Sequence, residues 1–335
     1  MKAVGLYRYL PIDHPESLLD VEVETPAASG RDLLVEVKAV SVNPVDTKRR
    51  RFGNPDKDFV EKAPKILGWD AAGVVKAAGP GCVLFKPGDA VYYAGSILRP
   101  GSNSEFHLVD ERIAGPKPAN LPFAEAAALP LTTLTAWELM FDRMKISKSG
   151  ADAGRSVLIL GGAGGVGSVA IQLAKKLAKL KVTASASRAE SVAWCKSLGA
   201  DETVDHTGPI EGEFDFVLCF SSSDAYWNAF PKLARPQGKV GLIVRTVKPV
   251  DLAILHDKSI TICLEGMFTR SSFQTADMEA QHGLLSEAAA LAEAGVLKGT
   301  MTRNLGKIDA AGLRTAHQLI ENGHVTGKLV LEGWR

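Results

Sequence analysis

The sequence is poor in the features that mark several large protein classes. Its four cysteines, Cys82, Cys195, Cys219 and Cys263, include no Cys-x-x-Cys pair, so neither a disulfide framework nor a cysteine-rich zinc lobe is expected. Net charge is almost absent, with 39 Lys and Arg against 38 Asp and Glu. No global field therefore favours nucleic acid or an anionic membrane, and no aromatic and basic platform for stacking single strands stands out. No apolar run reaches the length of a membrane span, and the opening MKAVGLYRYLPIDHPESLL lacks the unbroken apolar core of a signal peptide. Internal repeats and low-complexity tracts are missing too. A cytoplasmic protein with a small-molecule partner, no nucleic acid and no membrane is the expectation.

What is present suits a large globular chain. It has 335 residues, 46% of them hydrophobic, and at about 100–200 residues per domain two domains are expected. Up to about Asn120 the pattern is β-like: DLLVEVKAVSV alternates apolar and polar residues, and AAGVVKAAG, GDAVYY and SEFHLV are short β-prone runs between turn formers. ANLPFAEAAALPLTTLTAWELMF then turns helical. From Arg155 onward strands and helices alternate through SVLIL, GSVAIQLAKKLAKL, KVTASAS, AESVAWCKSLG, FDFVLCF, a helix around DAYWNAFPKLA, and KVGLIV. That alternation predicts parallel crossover units and a doubly wound sheet. Two amphipathic helices, in MEAQHGLLSEAAALAEAGVL and DAAGLRTAHQLIENG, and a closing strand, GKLVLEGW, complete the chain.

The strand VLIL runs into GGAGGVGSVAIQLAK, where Gly162, Gly164 and Gly167 satisfy Gly-x-Gly-x-x-Gly. Small residues allow a tight turn and close backbone approach to a pyrophosphate, and the following helix aims its free N–H groups at the anion. Gly164, Gly165 and Val166 supply that turn. A bare match is weak, but the strand before it and the apolar helix after it are the context that dinucleotide binding requires. The next strand ends in TASASRAE. An acidic residue there would hold the ribose diol of NAD(H); Ser187 and Arg188 instead suit a 2′-phosphate, which points to NADP(H). The alternative for Arg188 is a solvated residue opening a helix. Phe220 and Ser221 end the fourth strand of the unit and Ile243 the fifth, where ligands of such sheets sit.

A second set of residues carries a family resemblance. VSVNPVDTKRR, GWDAAGVVKAAGPGCVLFKPGDAVYY and the glycine turn together resemble the medium-chain dehydrogenase/reductase superfamily along essentially the whole chain. VNPVD, GGVGSVAIQLAK, LGAD and GKLVL are similar to its zinc-independent quinone oxidoreductase branch, and RPGSNSEFHLVDER to proteins called zinc-type alcohol dehydrogenase-like. The resemblance implies an α/β fold, with a GroES-like β-rich catalytic domain over 1–122 and 269–335 and a Rossmann doubly wound parallel sheet over 123–268. Zinc-dependent members carry Gly-His-Glu where this chain has Gly68, Trp69 and Asp70, and a cysteine ligand around Asn43. A catalytic zinc needs three Cys, His or carboxylate ligands, and an indole has no lone pair to give, so no metal is expected.

Without a Lewis acid, alcohol oxidation is disfavoured. Hydride delivery to an electrophilic quinone or α,β-unsaturated carbonyl, with the acceptor near Trp69 and Tyr92, becomes the expected activity. The alternatives are a zinc alcohol dehydrogenase with atypical ligands and a low-turnover NADPH-binding sensor or structural protein. By resemblance, Asn43 bonds the cofactor ribose or the substrate oxygen, Thr135 approaches the nicotinamide half, His206 lies beside the 2′-phosphate, the Phe268 backbone meets the carboxamide, and a homodimer forms through the nucleotide domains. Each has a plainer alternative: a turn former at Asn43, a helix-interior Thr135, an exposed His206, core packing at Phe268 and a lid or core aromatic at Trp69. Asp46 bonds a ribose hydroxyl or caps a helix. Lys328 reaches a phosphate or sits at a strand edge. Tyr92, Tyr93 or solvent supplies the proton after the hydride, and Lys48–Arg51 is a steering patch or a solvated charge run.

Overall fold

The computed structural model describes every residue except Pro55 and Lys57. It divides into two compact units. One comprises Met1–Leu131, Phe268–Gly295 and Gly299–Arg335, the other Thr132–Met267 and Val296–Lys298. The first therefore runs beyond residue 122, and a short stretch of the late chain belongs to the second.

The first unit is β-rich. Strands β1 (Lys2–Leu6), β2 (Leu19–Glu22), β3 (Asp32–Val42), β4 (Lys65–Ile66), β5 (Ala71–Ala78), β6 (Ala90–Tyr93), β7 (Phe106–Asp110) and β8 (Ala114–Pro116) come from its first segment. Helix α1 (Pro44–Phe52) leaves the end of β3 directly, with Pro44 at its first position, where a missing N–H costs no bond. Helix α2 (Phe123–Ala127) follows; α3 (Pro130–Trp137) begins at the end of this segment and runs from Thr132 on in the second unit, where it passes into a π-helical turn over Glu138–Arg143. The alternation in β3 is real: its side chains are buried at every second position until Ala39, after which all are buried. That change falls where β16 takes over from β7 as the neighbour of β3 on the side away from β5.

The second unit holds β9 (Ser156–Leu160), α4 (Gly165–Lys176), β10 (Lys181–Ser185), α5 (Ala189–Leu198), β11 (Glu202–Val204), β12 (Phe214–Cys219), α6 (Ser223–Tyr226), α7 (Phe230–Leu233), β13 (Ala234–Leu242) and β14 (Thr261–Leu264). Its sheet is parallel throughout, in the order β11-β10-β9-β12-β13-β14. Leu158, Val217, Phe230 and Val240 are among the side chains of one continuous core on it, each contributing about 1.5–3 kcal/mol by burial. The single helix foreseen around DAYWNAFPKLA is instead α6, a 3₁₀ turn and α7. Pro231 cannot donate to Trp227 O, so Phe230 N bonds that carbonyl in 3₁₀ fashion.

The chain ends in the first unit with α8 (Thr269–Phe273), α9 (Ala280–Glu293), β15 (Met301–Asn304), α10 (Ala310–Glu321) and β16 (Lys328–Glu332). There β15-β16-β3-β5-β6-β8 form the main sheet, with β7 also on β3, while β2-β1-β4 form a smaller one. The register pairs Val42 with Leu329 and Val40 with Ala71. Three distant segments thus meet at one sheet end: the exit of β3 at Asn43, the entry of β5 at Asp70 and the entry of β16 at Lys328. Among the described residues no helix is long and apolar enough to cross a membrane.

Candidate active site and cofactor cradle

In the second unit β9 gives way to Gly161, whose φ of +84° favours glycine, and the chain turns through Gly162–Gly164 into α4. A Cβ on Gly167 would stand 2.3 Å from Gly161 O, and one on Gly162 would stand 2.8 Å from the Ala184 Cβ. Strand and helix can approach this closely only because both residues are glycine. Gly164 differs: its Cβ would meet only Gly161 O, at 3.5 Å, so the turn is open on that side. There the N–H groups that begin α4, from Gly165 and Val166, have no intrahelical acceptor. Ser221, just past β12, has a buried Oγ with no hydrogen-bond partner among the described residues. An open glycine notch, a helix amino end and an unspent hydroxyl beside the same sheet end fit a dinucleotide.

Ser187 and Arg188 are exposed past β10, and His206 is exposed past β11. The pairing of Ser185 with Val204 makes these two strand ends neighbours, so the structure brings all three residues to one rim of the sheet. Phe220 and Ile243 lie half-buried at the carboxyl ends of their strands. Thr135 is buried on α3.

In the first unit Lys328 is buried. Its ammonium donates to Val42 O at 3.2 Å, to Asp70 Oδ2 at 2.9 Å and to Asn43 Oδ1. A lysine has three N–H donors, so none is left for a phosphate, and β16 is flanked by β15 and β3 rather than lying at an edge. Both expectations for Lys328 are corrected. For Asn43 the binding role is corrected likewise, and the residue stands as the cap before Pro44 at the start of α1. Its Oδ1 faces that ammonium, its Nδ2 donates to Asp70 Oδ2 at 2.9 Å, and a ribose or substrate oxygen would have to displace a buried bond. Asp70 Oδ1 accepts the backbone N–H of Leu131 at 2.8 Å, a bond within the first unit.

Asp46 accepts the Asn43 N–H at 2.6 Å, so it closes the first turn of α1. Its other oxygen is buried with no partner among the described residues. Burial pushes the Asp46 carboxyl up to about 7, against the pull of Asn43 N–H and Lys328 and with the push of Asp70. Burial also raises Asp70, opposed mainly by Lys328.

Trp69 is only 3% exposed. Its Nε1–H donates to Ser96 O at 3.2 Å, and its ring meets Phe268 edge to face at 6.3 Å between centroids. It is a wall of the unit, not a lid. Tyr92 requires a correction: its ring is fully buried and its hydroxyl donates to Leu285 O, on α9, at 2.6 Å. Burial raises its pKa further, so it is no proton donor to a substrate. Tyr93 is spent as well. His107 Nε2 lies 2.9 Å from Pro100 O, which can only accept, so Nδ1 accepts the Tyr93 hydroxyl at 3.1 Å. Burial holds His107 down at about 4, and therefore neutral. Sequence reasoning missed Asp70 and His107; the one signal was a histidine at a buried position of β7.

The alcohol dehydrogenase GroES-like domain family matches residues 29–119, and the zinc-binding dehydrogenase family matches residues 198–331. The chain is 40% identical over 338 residues to a zinc-type alcohol dehydrogenase-like protein of Staphylococcus aureus strain COL, covering 99% of both. The chain belongs to the medium-chain dehydrogenase/reductase superfamily. This oxidoreductase is also 30% identical over 328 residues to the chloroplastic NADPH-dependent alkenal/one oxidoreductase of Arabidopsis thaliana, covering 93% of the chain and 75% of that protein. Among solved structures it resembles a putative zinc-dependent alcohol dehydrogenase of Rhizobium etli CFN 42, with 48% identity, a TM-score of 0.93, and 100% and 98% of the two chains covered.

Several of these names imply zinc, and the residues do not fit it. At the two positions where the resemblance puts zinc ligands stand an indole whose N–H is donated to Ser96 and an amide locked against the Lys328 ammonium. Among the described residues, no group of three or more His, Cys, Asp or Glu is placed to hold a metal ion.

Proposed function

We propose that this oxidoreductase is an NADPH-dependent, zinc-independent reductase of α,β-unsaturated carbonyls, with quinones as doubly conjugated acceptors of the same kind. The observation that carries this is the donor set at Asn43 and Trp69. Trp69 has no lone pair to give and the Asn43 amide oxygen faces the Lys328 ammonium, whose charge repels a metal ion, so the acceptor must already be electrophilic, and conjugation supplies that by spreading the incoming charge onto a carbonyl oxygen. The relationship to an alkenal/one oxidoreductase supports the same acceptor class.

Bound NADPH supplies the hydride. Gly162, Gly164, Gly165 and Val166 receive its pyrophosphate, Ser187, Arg188 and His206 its 2′-phosphate, and Ser221 offers the unspent hydroxyl, with Phe220 and Ile243 bordering the cofactor. Thr135 and Phe268 serve the nicotinamide half. Trp69 and Phe268 form an apolar wall suited to a flat acceptor. Water protonates the resulting enolate, because the Tyr92 and Tyr93 hydroxyls are committed within the fold. A homodimer through β14, one of the two edges of the nucleotide sheet, with Leu264 69% exposed, fits the same reading.

The test is consumption of NADPH by chelator-treated protein with a panel of 2-alkenals, enones and quinones, and NADH as the control. Turnover that survives chelation and is much slower with NADH supports the proposal. Activity lost on chelation and restored by zinc would make it an alcohol dehydrogenase with atypical ligands, and tight NADPH binding without turnover would make it a sensor.

A further inference from the structure

The glycine turn is held from beneath by two side chains outside the fingerprint. The indole Nε1–H of Trp194, on α5, donates to Ser168 Oγ at 2.8 Å. Ser168 Oγ–H in turn donates to Gly164 O at 2.8 Å. The direction is fixed because an indole N–H can only donate: Ser168 Oγ accepts from Trp194, so its own proton goes to the carbonyl. Gly164 O also accepts the Ser168 backbone N–H at 2.8 Å, so it carries two hydrogen bonds. Ser168 is fully buried and Trp194 is half-buried.

The consequence lies on the far side of the peptide bond. Gly164 C=O and Gly165 N–H are the two ends of one planar, resonance-coupled amide. Hydrogen bonds drawn onto the oxygen shift charge through that amide and make the N–H a stronger donor, as in hydrogen-bonded chains. Gly165 N–H is among those at the start of α4 with no intrahelical acceptor. A serine bonding back to its i−4 carbonyl is common and by itself slightly unfavourable to a helix. The indole that fixes the direction of this one is not part of that habit. Gly161 N–H, at the other end of the turn, is likewise fixed by Ser185 Oγ at 2.9 Å, so the loop is braced at both ends.

We propose that Trp194 and Ser168 are positioning residues for the dinucleotide pyrophosphate, setting the aim and donor strength of Gly165 N–H through the Gly164 carbonyl. This rests on the dinucleotide reading above and adds residues that the glycine fingerprint does not contain. It makes a distinctive forecast, because the pyrophosphate is common to NADPH and NADH whereas the 2′-phosphate is not.

Trp194→Phe, Ser168→Ala and the double variant are compared with the wild-type full chain by calorimetric titration with NADPH and with NADH, and thermal unfolding is recorded without cofactor. Each single substitution is expected to weaken both cofactors by the same factor, about threefold to tenfold. The double variant should be little worse than the worse single, since the two side chains act as one chain of bonds. Unchanged affinities, a loss confined to NADPH, or losses that multiply in the double variant would overturn the proposal. Should Trp194→Phe not fold, Ser168→Ala with both cofactors decides alone. Wild-type protein that binds neither dinucleotide would instead sink the underlying reading, a result separable from variants that bind as the wild type does.

Discussion

The two units treat hydrogen-bonding groups in opposite ways. In the second, the turn from Gly161 to Gly167 contains no ionisable side chain and leaves backbone N–H groups and the Ser221 hydroxyl unspent. In the first, Asn43, Asp70 and Lys328 come from positions up to 285 residues apart and use one another up. The difference separates a place that can receive a ligand from one that holds the sheet together, although both consist of residues that read as functional. An unspent donor at a sheet end is the better sign of a ligand; a buried lysine with every proton placed signals architecture.

Breaking the cluster should therefore cost stability far more than cofactor binding. Lys328→Met leaves Asp70 buried without its cation and is expected to destabilise the protein by about 3–5 kcal/mol, the usual result of removing one partner of a buried pair. Denaturant unfolding measures this, and a loss under about 1 kcal/mol would mean that the carboxylate finds another partner. Breaking the rim of the nucleotide sheet should do the reverse. Arg188→Ala is expected to weaken NADPH about tenfold while NADH binding and unfolding midpoints hold, because an exposed guanidinium contributes through charge-assisted bonds to the 2′-phosphate. Equal losses for both cofactors would detach Arg188 from that phosphate.

The smallest effect concerns pH. Burial raises Asp46 from an ordinary 3.8 to about 7, so the folded state holds this proton more tightly than the unfolded chain does. The stabilisation this confers is complete below about pH 4 and is lost as pH rises to about 7. Asp46→Asn keeps an acceptor for the Asn43 N–H and cannot titrate. The stability of the wild type relative to this variant should fall across that window and then level off. A difference that stays flat from pH 4 to 7 would show that Asp46 is ionised throughout.

Much of the second unit was legible because its signals are local. The glycines, the strand before them and the helix after them lie within one crossover unit, and Ser187 and Arg188 follow at the end of the next strand. The cluster at Asn43 was legible only as separate residues. Nothing in GWD or GKLVL says that β3 pairs with both β5 and β16, and only that register brings Asp70 and Lys328 to Asn43. Tyr92 failed for a related reason. Alternation along β6 shows that successive side chains face opposite ways, but not that α9 presents a carbonyl on one of those sides. Trp194 gave no signal, since an indole partly exposed on a helix resembles any surface aromatic until its N–H is traced to Ser168.

The most direct test follows the hydride itself. NADPH deuterated at the transferable position is turned over with an enone by chelator-treated protein in ordinary water, and the product is read by NMR. The account predicts deuterium on the β-carbon, a solvent proton on the α-carbon and an intact carbonyl. Deuterium on the carbonyl carbon, giving an allylic alcohol, would contradict it and restore the alcohol dehydrogenase reading.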